Sequence, residues 1–191
     1  MSLKVLGGRL RGRKLASLAG QATRPLLGQV KQALCNILGE RVHDAVVWDL
    51  FAGTGATGIE LLSRGAARVC FVERAPEALR CLQANLDALG LAAQATVLRA
   101  DAWDPPRLPH DWSPASLVFV DPPYAIVQAD PRGCLERLAA LLDAMDPLGR
   151  LLFHFARGAV PEAGLEGLGA LDLRHWGGAS VAILAPPRSA A

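Results

Sequence analysis

Between residues 45 and 155 short apolar runs alternate with stretches of helical periodicity, and few folds accommodate that order. The runs are residues 45–50, 68–72, 95–98, 116–120 and 150–155, and helical spacing occupies 57–64, 76–89 and 133–144 between them. Strands that read as nearly unbroken apolar runs are buried on both faces, and helical crossovers make their pairing parallel. The pattern predicts an α/β, doubly wound, mostly parallel sheet. Its end differs: residues 168–175 and 180–184 flank Trp176-Gly177-Gly178-Ala179, which predicts an antiparallel C-terminal edge hairpin.

Ahead of the alternation, LKVLGGRLRGRKL (residues 3–15) mixes basic, apolar and glycine residues and suits a short strand or hairpin better than a helix. Arg24 and Pro25 then punctuate the chain. Leu26, Leu27, Val30, Leu34, Ile37 and Leu38 follow helical spacing, with Gln29, Lys31, Gln32 and Asn36 on the other face, so an amphipathic helix is expected to end near Gly39. No Asp or Glu precedes Glu40, so the first 39 residues carry +7 and the remainder −5, although the net charge is only +2. A basic arm on a mildly acidic body fits a protein that grips polyphosphate at one end.

At 191 residues and 51% apolar, the chain has the size of one domain. The partition expected is a basic arm and amphipathic helix over 1–40, part of the same domain as 41–185, with a frayed tail at 186–191. The absence of a run of roughly 20 apolar residues, and of an apolar leader, predicts a soluble cytoplasmic protein with no membrane partner. Cys35, Cys70, Cys81 and Cys134 are scattered among apolar neighbours with no C-x-x-C pair, which predicts core thiols and no metal. His43, His110, His154 and His175 are read as satisfied core or edge histidines, with no catalytic role.

The first strand runs into Asp49-Leu50-Phe51-Ala52-Gly53-Thr54-Gly55-Ala56-Thr57-Gly58, followed at once by a helix. Glycines let the backbone turn tightly and a ligand approach closely, and the helix N-terminus offers unpaired N–H groups. The spacing alone is ambiguous, because dinucleotide dehydrogenases use the same turn and also carry an acid, here Glu73, at the end of the second strand. That acid serves the ribose of either cofactor. Asp49 discriminates, since its carboxylate suits a cationic amino acid end and would repel a pyrophosphate; the plainer alternative is a turn cap.

The second constellation is Asp121-Pro122-Pro123-Tyr124, directly after the run 116–120. Two prolines remove two backbone donors and stiffen the loop, so the acid and nearby carbonyls stand as fixed acceptors for the two donors of an exocyclic amine. Tyr124, the only tyrosine in the sequence, is placed to stack on a base drawn out of its helix.

D-x-F-x-G-x-G together with D-P-P-Y resembles the amino-methyltransferases of the Rossmann-like class. GGRLRGRKL, then RP and the VKQALCNIL helix, with SRGAARVCFVE and WGGASVAIL further on, is similar to the bacterial family that methylates the N2 amine of a guanine in small-subunit (16S) ribosomal RNA. The resemblance implies S-adenosylmethionine as cofactor, held by Asp49, Phe51, Gly53, Thr54, Gly55, Glu73, Arg74, Asp101 and Ala102. Within that set Glu73 takes the ribose, and Asp101 with Ala102 takes the adenine edge. It implies Asp121, Pro122 and Tyr124 as catalytic residues at the target amine, and ribosomal RNA or an assembling small subunit as partner. Arg9, Arg11, Arg13, Lys14 and Arg24 are the expected RNA-binding residues. Transfer is expected to be direct and in line, with positioning supplying most of the acceleration. The chain departs from that family at Leu26-Leu27-Gly28-Gln29, where Thr, another residue and Asp-Arg are usual. It departs again at Lys31 and Gln32, and at His154, which stands where an acid is expected. An N6-adenine DNA methyltransferase, a non-catalytic RNA-binding relative and a dehydrogenase are the alternatives; the last has no use for D-P-P-Y.

Overall fold

The computed structural model describes residues 3–18, 25–104 and 114–187, without the side chains of residues 25–27, 29 and 170. Arg24, His110 and residues 188–191 of the expected tail therefore lie outside the described residues, as do the side chains of Leu26, Leu27 and Gln29. The chain divides into two compact units, residues 1–106 and 107–191.

In the first unit, β1 (Val46–Leu50), β2 (Arg68–Glu73) and β3 (Ala95–Arg99) are parallel and lie in the order β3-β2-β1. The crossovers are α2 (Ala56–Ser63) and α3 (Pro76–Leu89). Val69, Cys70, Phe71 and Val72 of β2 are all buried, as expected of a strand covered on both faces. The residues of β3 are only partly buried or, at Arg99, exposed, which follows from its position at the end of this strand order. Helix α3 begins with Pro76 in its first turn, where a missing N–H costs nothing, and ends at Gly90, whose φ of +66° admits the left-handed cap.

Ahead of the strands stands α1 (Pro25–Leu38), which buries Val30, Leu34, Cys35 and Leu38. Ile37, expected on that apolar face, is 40% exposed, because at 100° per residue it falls at the margin of the stripe. The N-terminal segment folds back on itself: Lys4 and Lys14 form an antiparallel bridge, and the Val5 N–H donates to the Arg13 carbonyl at 3.0 Å. Val5 and Leu15 are buried, and burial of side chains of this size contributes about 1.5–3 kcal/mol each.

In the second unit, β4 (Leu117–Val120) and β5 (Arg150–Ala156) are parallel, while β7 (Ala179–Ala185) runs antiparallel to both β5 and β6 (Ala170–Trp176), giving the order β4-β5-β7-β6. The Gly177-Gly178 turn thus closes the expected hairpin, with β6 outermost. The helices are α4 (Tyr124–Ala129), α5 (Pro131–Ala144) and α6 (Glu162–Glu166). Helices as short as α4 and α6 show no periodicity in sequence, and neither was expected. Helix α5 starts at Pro131, and the Asp130 carboxylate accepts the Gly133 N–H at 2.8 Å as its cap.

Candidate functional site

The turn between β1 and α2 is built from the residues expected to hold a cofactor. Asp49, at 2% exposure, accepts the Gly58 N–H at 2.8 Å, so its carboxylate ties the end of β1 to the first turn of α2. The turn-cap role is thus present whatever else Asp49 binds. Phe51 has φ +61°, a left-handed conformation that costs an L-residue roughly 1–2 kcal/mol and is concentrated at functional loops. At Gly58 a Cβ would stand 2.3 Å from Phe71, so only glycine lets α2 approach β2 this closely. At Gly53, with φ +56°, a Cβ would meet nothing within 4 Å, so the backbone there faces open space.

Glu73, the last residue of β2, accepts three backbone N–H groups: Gly53 at 2.9 Å on Oε2, and Arg74 and Ala75, both at 2.8 Å, on Oε1. The acid and the glycine turn are therefore one rigid piece. Asp101 lies just beyond β3, accepts the Trp103 N–H at 2.9 Å and sits 3.6 Å from the Arg74 guanidinium. Both members of that ion pair are largely exposed, and such pairs contribute about 0–1 kcal/mol, so the pair arranges the two residues rather than stabilising the fold. Ala102 is buried, and Trp103 packs edge-on against Phe51 with ring centroids 5.1 Å apart. Phe51, Gly53, Glu73, Arg74, Asp101 and Trp103 are thus linked by direct contacts, while the Thr54 carbonyl accepts from Asn85 at 3.0 Å. S-adenosylmethionine fits this donor set: open space over Gly53, a fixed carboxylate for two ribose hydroxyls, and a second acid beside an aromatic pair.

The basic segment is docked rather than free. Leu6 N–H donates to Glu60 at 2.7 Å, Leu10 N–H to the Ser63 hydroxyl at 2.9 Å, and the Ser63 hydroxyl to the Gly7 carbonyl at 2.6 Å. Asn85 holds both the N–H and the carbonyl of Ala16. Lys4, Arg9, Arg11, Arg13 and Lys14 all point outward from this docked backbone and are exposed. Arg9 donates to Gln94 at 2.8 Å and Arg13 to the Ala88 carbonyl at 3.2 Å.

In the second unit, D-P-P-Y joins β4 to α4. Val120 pairs with Phe153, so one step further along two parallel strands Asp121 stands beside His154. The His154 Nδ1 lies 2.7 Å from Asp121 Oδ1, and its Nε2 lies 3.1 Å from the Tyr124 hydroxyl, with the two rings edge to face at 5.5 Å. Pro122 is buried. His154 is satisfied, as expected, and its two partners are the acid and the tyrosine of this loop. The β4–β5 register that brings it there leaves no mark in the sequence.

Four further residues escaped the sequence reading: Glu60, Ser63 and Asn85, the buried polar anchors of the basic segment, and Trp103. Glu60 carried a signal, an acid flanked by Ile59, Leu61 and Leu62 on a helix that buries all of them. Cys35, Cys70 and Cys134 are buried free thiols, with burial pushing Cys35 up to about 11 and Cys70 to about 12, and Cys81 is partly buried. Among the described residues there is no group of three or more His, Cys, Asp or Glu placed to hold a metal, and no helix long and apolar enough to cross a membrane.

The solved structure of Escherichia coli yhhF covers 98% of this chain and 99% of its own at a TM-score of 0.76 and 28% identity. An RNA methyltransferase from Salinibacter ruber in complex with S-adenosyl-L-homocysteine shares the fold at a TM-score of 0.60 and 18% identity, covering 89% of this chain and 96% of its own. With the glycine turn and the β2 acid, these likenesses define a Rossmann-like methyltransferase fold. Residues 3–152 match the model of the family described as conserved hypothetical protein 95, and the chain belongs to that family. Ribosomal RNA small subunit methyltransferase D of Escherichia coli K12 is 36% identical over 141 residues, 74% of this chain and 67% of that protein.

Proposed function

We propose that this chain transfers the methyl group of S-adenosylmethionine to the exocyclic N2 amine of a guanine in small-subunit ribosomal RNA. The observation that carries the reading is D-P-P-Y at the end of β4, with Asp121 and Tyr124 joined through His154. An acid and a proline-stiffened loop of carbonyls suit an acceptor amine and have no place in hydride transfer. The relative's name supports ribosomal RNA, and the N-terminal motifs support guanine N2.

In this reading Asp49 meets the cationic amino acid end of the cofactor while capping the turn. Phe51, Gly53, Thr54 and Gly55 line its approach, Glu73 and Arg74 take the ribose end, and Asp101 with Ala102 takes the adenine. The bound cofactor supplies a methyl on a sulfonium that is already activated, so positioning and electrostatics are the protein's contribution. The Asp121 carboxylate and the Pro122 carbonyl accept the two amine hydrogens, the Tyr124 hydroxyl oxygen meets the base edge beside them, and Asp121 stabilises the charge that develops on nitrogen. Arg9, Arg11, Arg13, Lys14 and Arg24 lie on phosphates and add affinity with little sequence choice. The partner is ribosomal RNA or the assembling small subunit in the cytoplasm.

Mapping methylated nucleotides in 16S RNA from cells with and without the gene tests the reading. One guanine N2 methyl group is expected to disappear; an unchanged map with the gene removed would overturn it.

A further inference from the structure

We propose that His154 is a positioning residue that locks Asp121 and Tyr124 into one hydrogen-bond-accepting wall for the target amine. The inference rests on the methyltransferase reading above and assigns a role to a residue which that chemistry does not itself require.

The geometry supplies the argument. Asp121 leaves the end of β4 and Tyr124 opens α4, so two separate backbone elements present the two side chains. His154, from the neighbouring β5, touches both, at 2.7 and 3.1 Å. Its side chain is 14% exposed against 44% for Asp121, so the more sheltered ring holds the more accessible carboxylate. On the other side of β5, Phe153 and Phe155 are buried and stacked at 4.8 Å, which anchors the strand that carries the ring.

For a neutral imidazole, donor and acceptor chemistry then sets the tautomer. A carboxylate only accepts, so Nδ1 carries the hydrogen and donates to Asp121 Oδ1. In the neutral ring Nε2 is left as an acceptor, and the Tyr124 hydroxyl donates to it. With its hydrogen committed to Nε2, the Tyr124 oxygen meets any other group as an acceptor. Asp121 and Tyr124 therefore both present acceptor character, and an exocyclic amine presents donors. A guanine offers N1–H and the N2 amine side by side, both donors, whereas the N6 amine of adenine adjoins the acceptor N1. The wall that His154 enforces favours the first arrangement.

Nitrogen-15 NMR of the imidazole in the full-length protein tests the tautomer directly. Hydrogen on Nδ1 and a bare Nε2 are expected; the opposite tautomer, or hydrogen on both nitrogens, would overturn the proposal, whatever the enzyme's activity. Kinetics on small ribosomal subunits test the positioning role. His154→Leu is expected to lower kcat about 10- to 100-fold with the Kd for S-adenosylmethionine within about twofold, and His154→Asn, whose amide takes the place of Nδ1, to recover at least a third of the parent kcat. Tyr124→Phe is expected to cost less in the His154→Leu background than in the parent, because the shared contact is already gone. Parent kcat in His154→Leu, no rescue by Asn, or additive losses would each overturn it. A parent protein that carries the expected tautomer yet transfers no methyl group to RNA would instead sink the methyltransferase reading.

Discussion

Asn85 of α3 donates its side-chain amide to the Thr54 carbonyl at 3.0 Å, and through the same amide it holds the Ala16 backbone, so one buried side chain joins the glycine turn to the docked basic segment. Replacing it by Ala leaves the Ala16 N–H and two carbonyls without this partner. A loss of about 0.5–1.5 kcal/mol in urea unfolding is expected, the usual net contribution of a hydrogen bond, together with weaker binding of both cofactor and RNA. An unchanged unfolding midpoint would show that the turn and the segment hold their places without Asn85.

Asp49 has a structural and a proposed electrostatic role, and two substitutions separate them. Asp49→Asn keeps an oxygen for the Gly58 N–H and removes the charge, whereas Asp49→Ala removes both. Calorimetry is expected to show weaker S-adenosylmethionine binding in both variants, with thermal stability lowered mainly in the Ala variant by about 1–3 kcal/mol. Parent affinity in Asp49→Asn would reduce Asp49 to a cap.

Docking of the basic segment changes what its charges are expected to do. Arg9 and Arg13 already bond to Gln94 and Ala88, while Arg11 and Lys14 are exposed with their backbone fixed. Changing Arg11 and Lys14 to Ala is expected to flatten the slope of log affinity for ribosomal RNA against log salt by about 1.5, at about 0.7–0.9 per phosphate contact. Cofactor affinity should stay at the parent value. A parent salt slope in the double variant would place the RNA elsewhere on the protein.

Much of this architecture was legible in sequence because the deciding signals are local. The boundaries of α3 follow from Pro76 and Gly90, and those of β2 from an apolar run flanked by Arg68 and Glu73. The glycine turn and D-P-P-Y could be read for the same reason. What escaped depends on contacts between distant residues. His154 reaches Asp121 through a strand register, and Asn85 reaches Ala16 across 69 positions. The docking contacts of the basic arm went unread because the anchors Glu60, Ser63 and Asn85 lie far along the chain on α2 and α3. Helix α4 escaped because its six residues are too few to show a period.

The cap of α5 carries a pH signature. The Gly133 N–H first, and then the Arg137 guanidinium, hold the Asp130 carboxyl below the usual carboxylate range. A carboxyl lowered on folding contributes stability above its unfolded pKa of about 3.9, and that contribution is lost as pH falls through the folded value. Asp130→Asn, which keeps the cap but not the charge, is therefore expected to melt below the parent near neutral pH, with the gap starting to close below about pH 4 and vanishing only below the lowered folded value. A gap that persists unchanged into strong acid would contradict the charge-based account.

The central claim is methyl transfer to a guanine amine. It is tested most directly by incubating the purified protein with methyl-labelled S-adenosylmethionine and small subunits from cells lacking the gene, then digesting the RNA to nucleosides. The expected product is label in N2-methylguanosine, reduced by on the order of 100-fold or more in Asp121→Ala while cofactor affinity is preserved. Label in N6-methyladenosine, or no labelled RNA from a protein that binds the cofactor, would contradict the account.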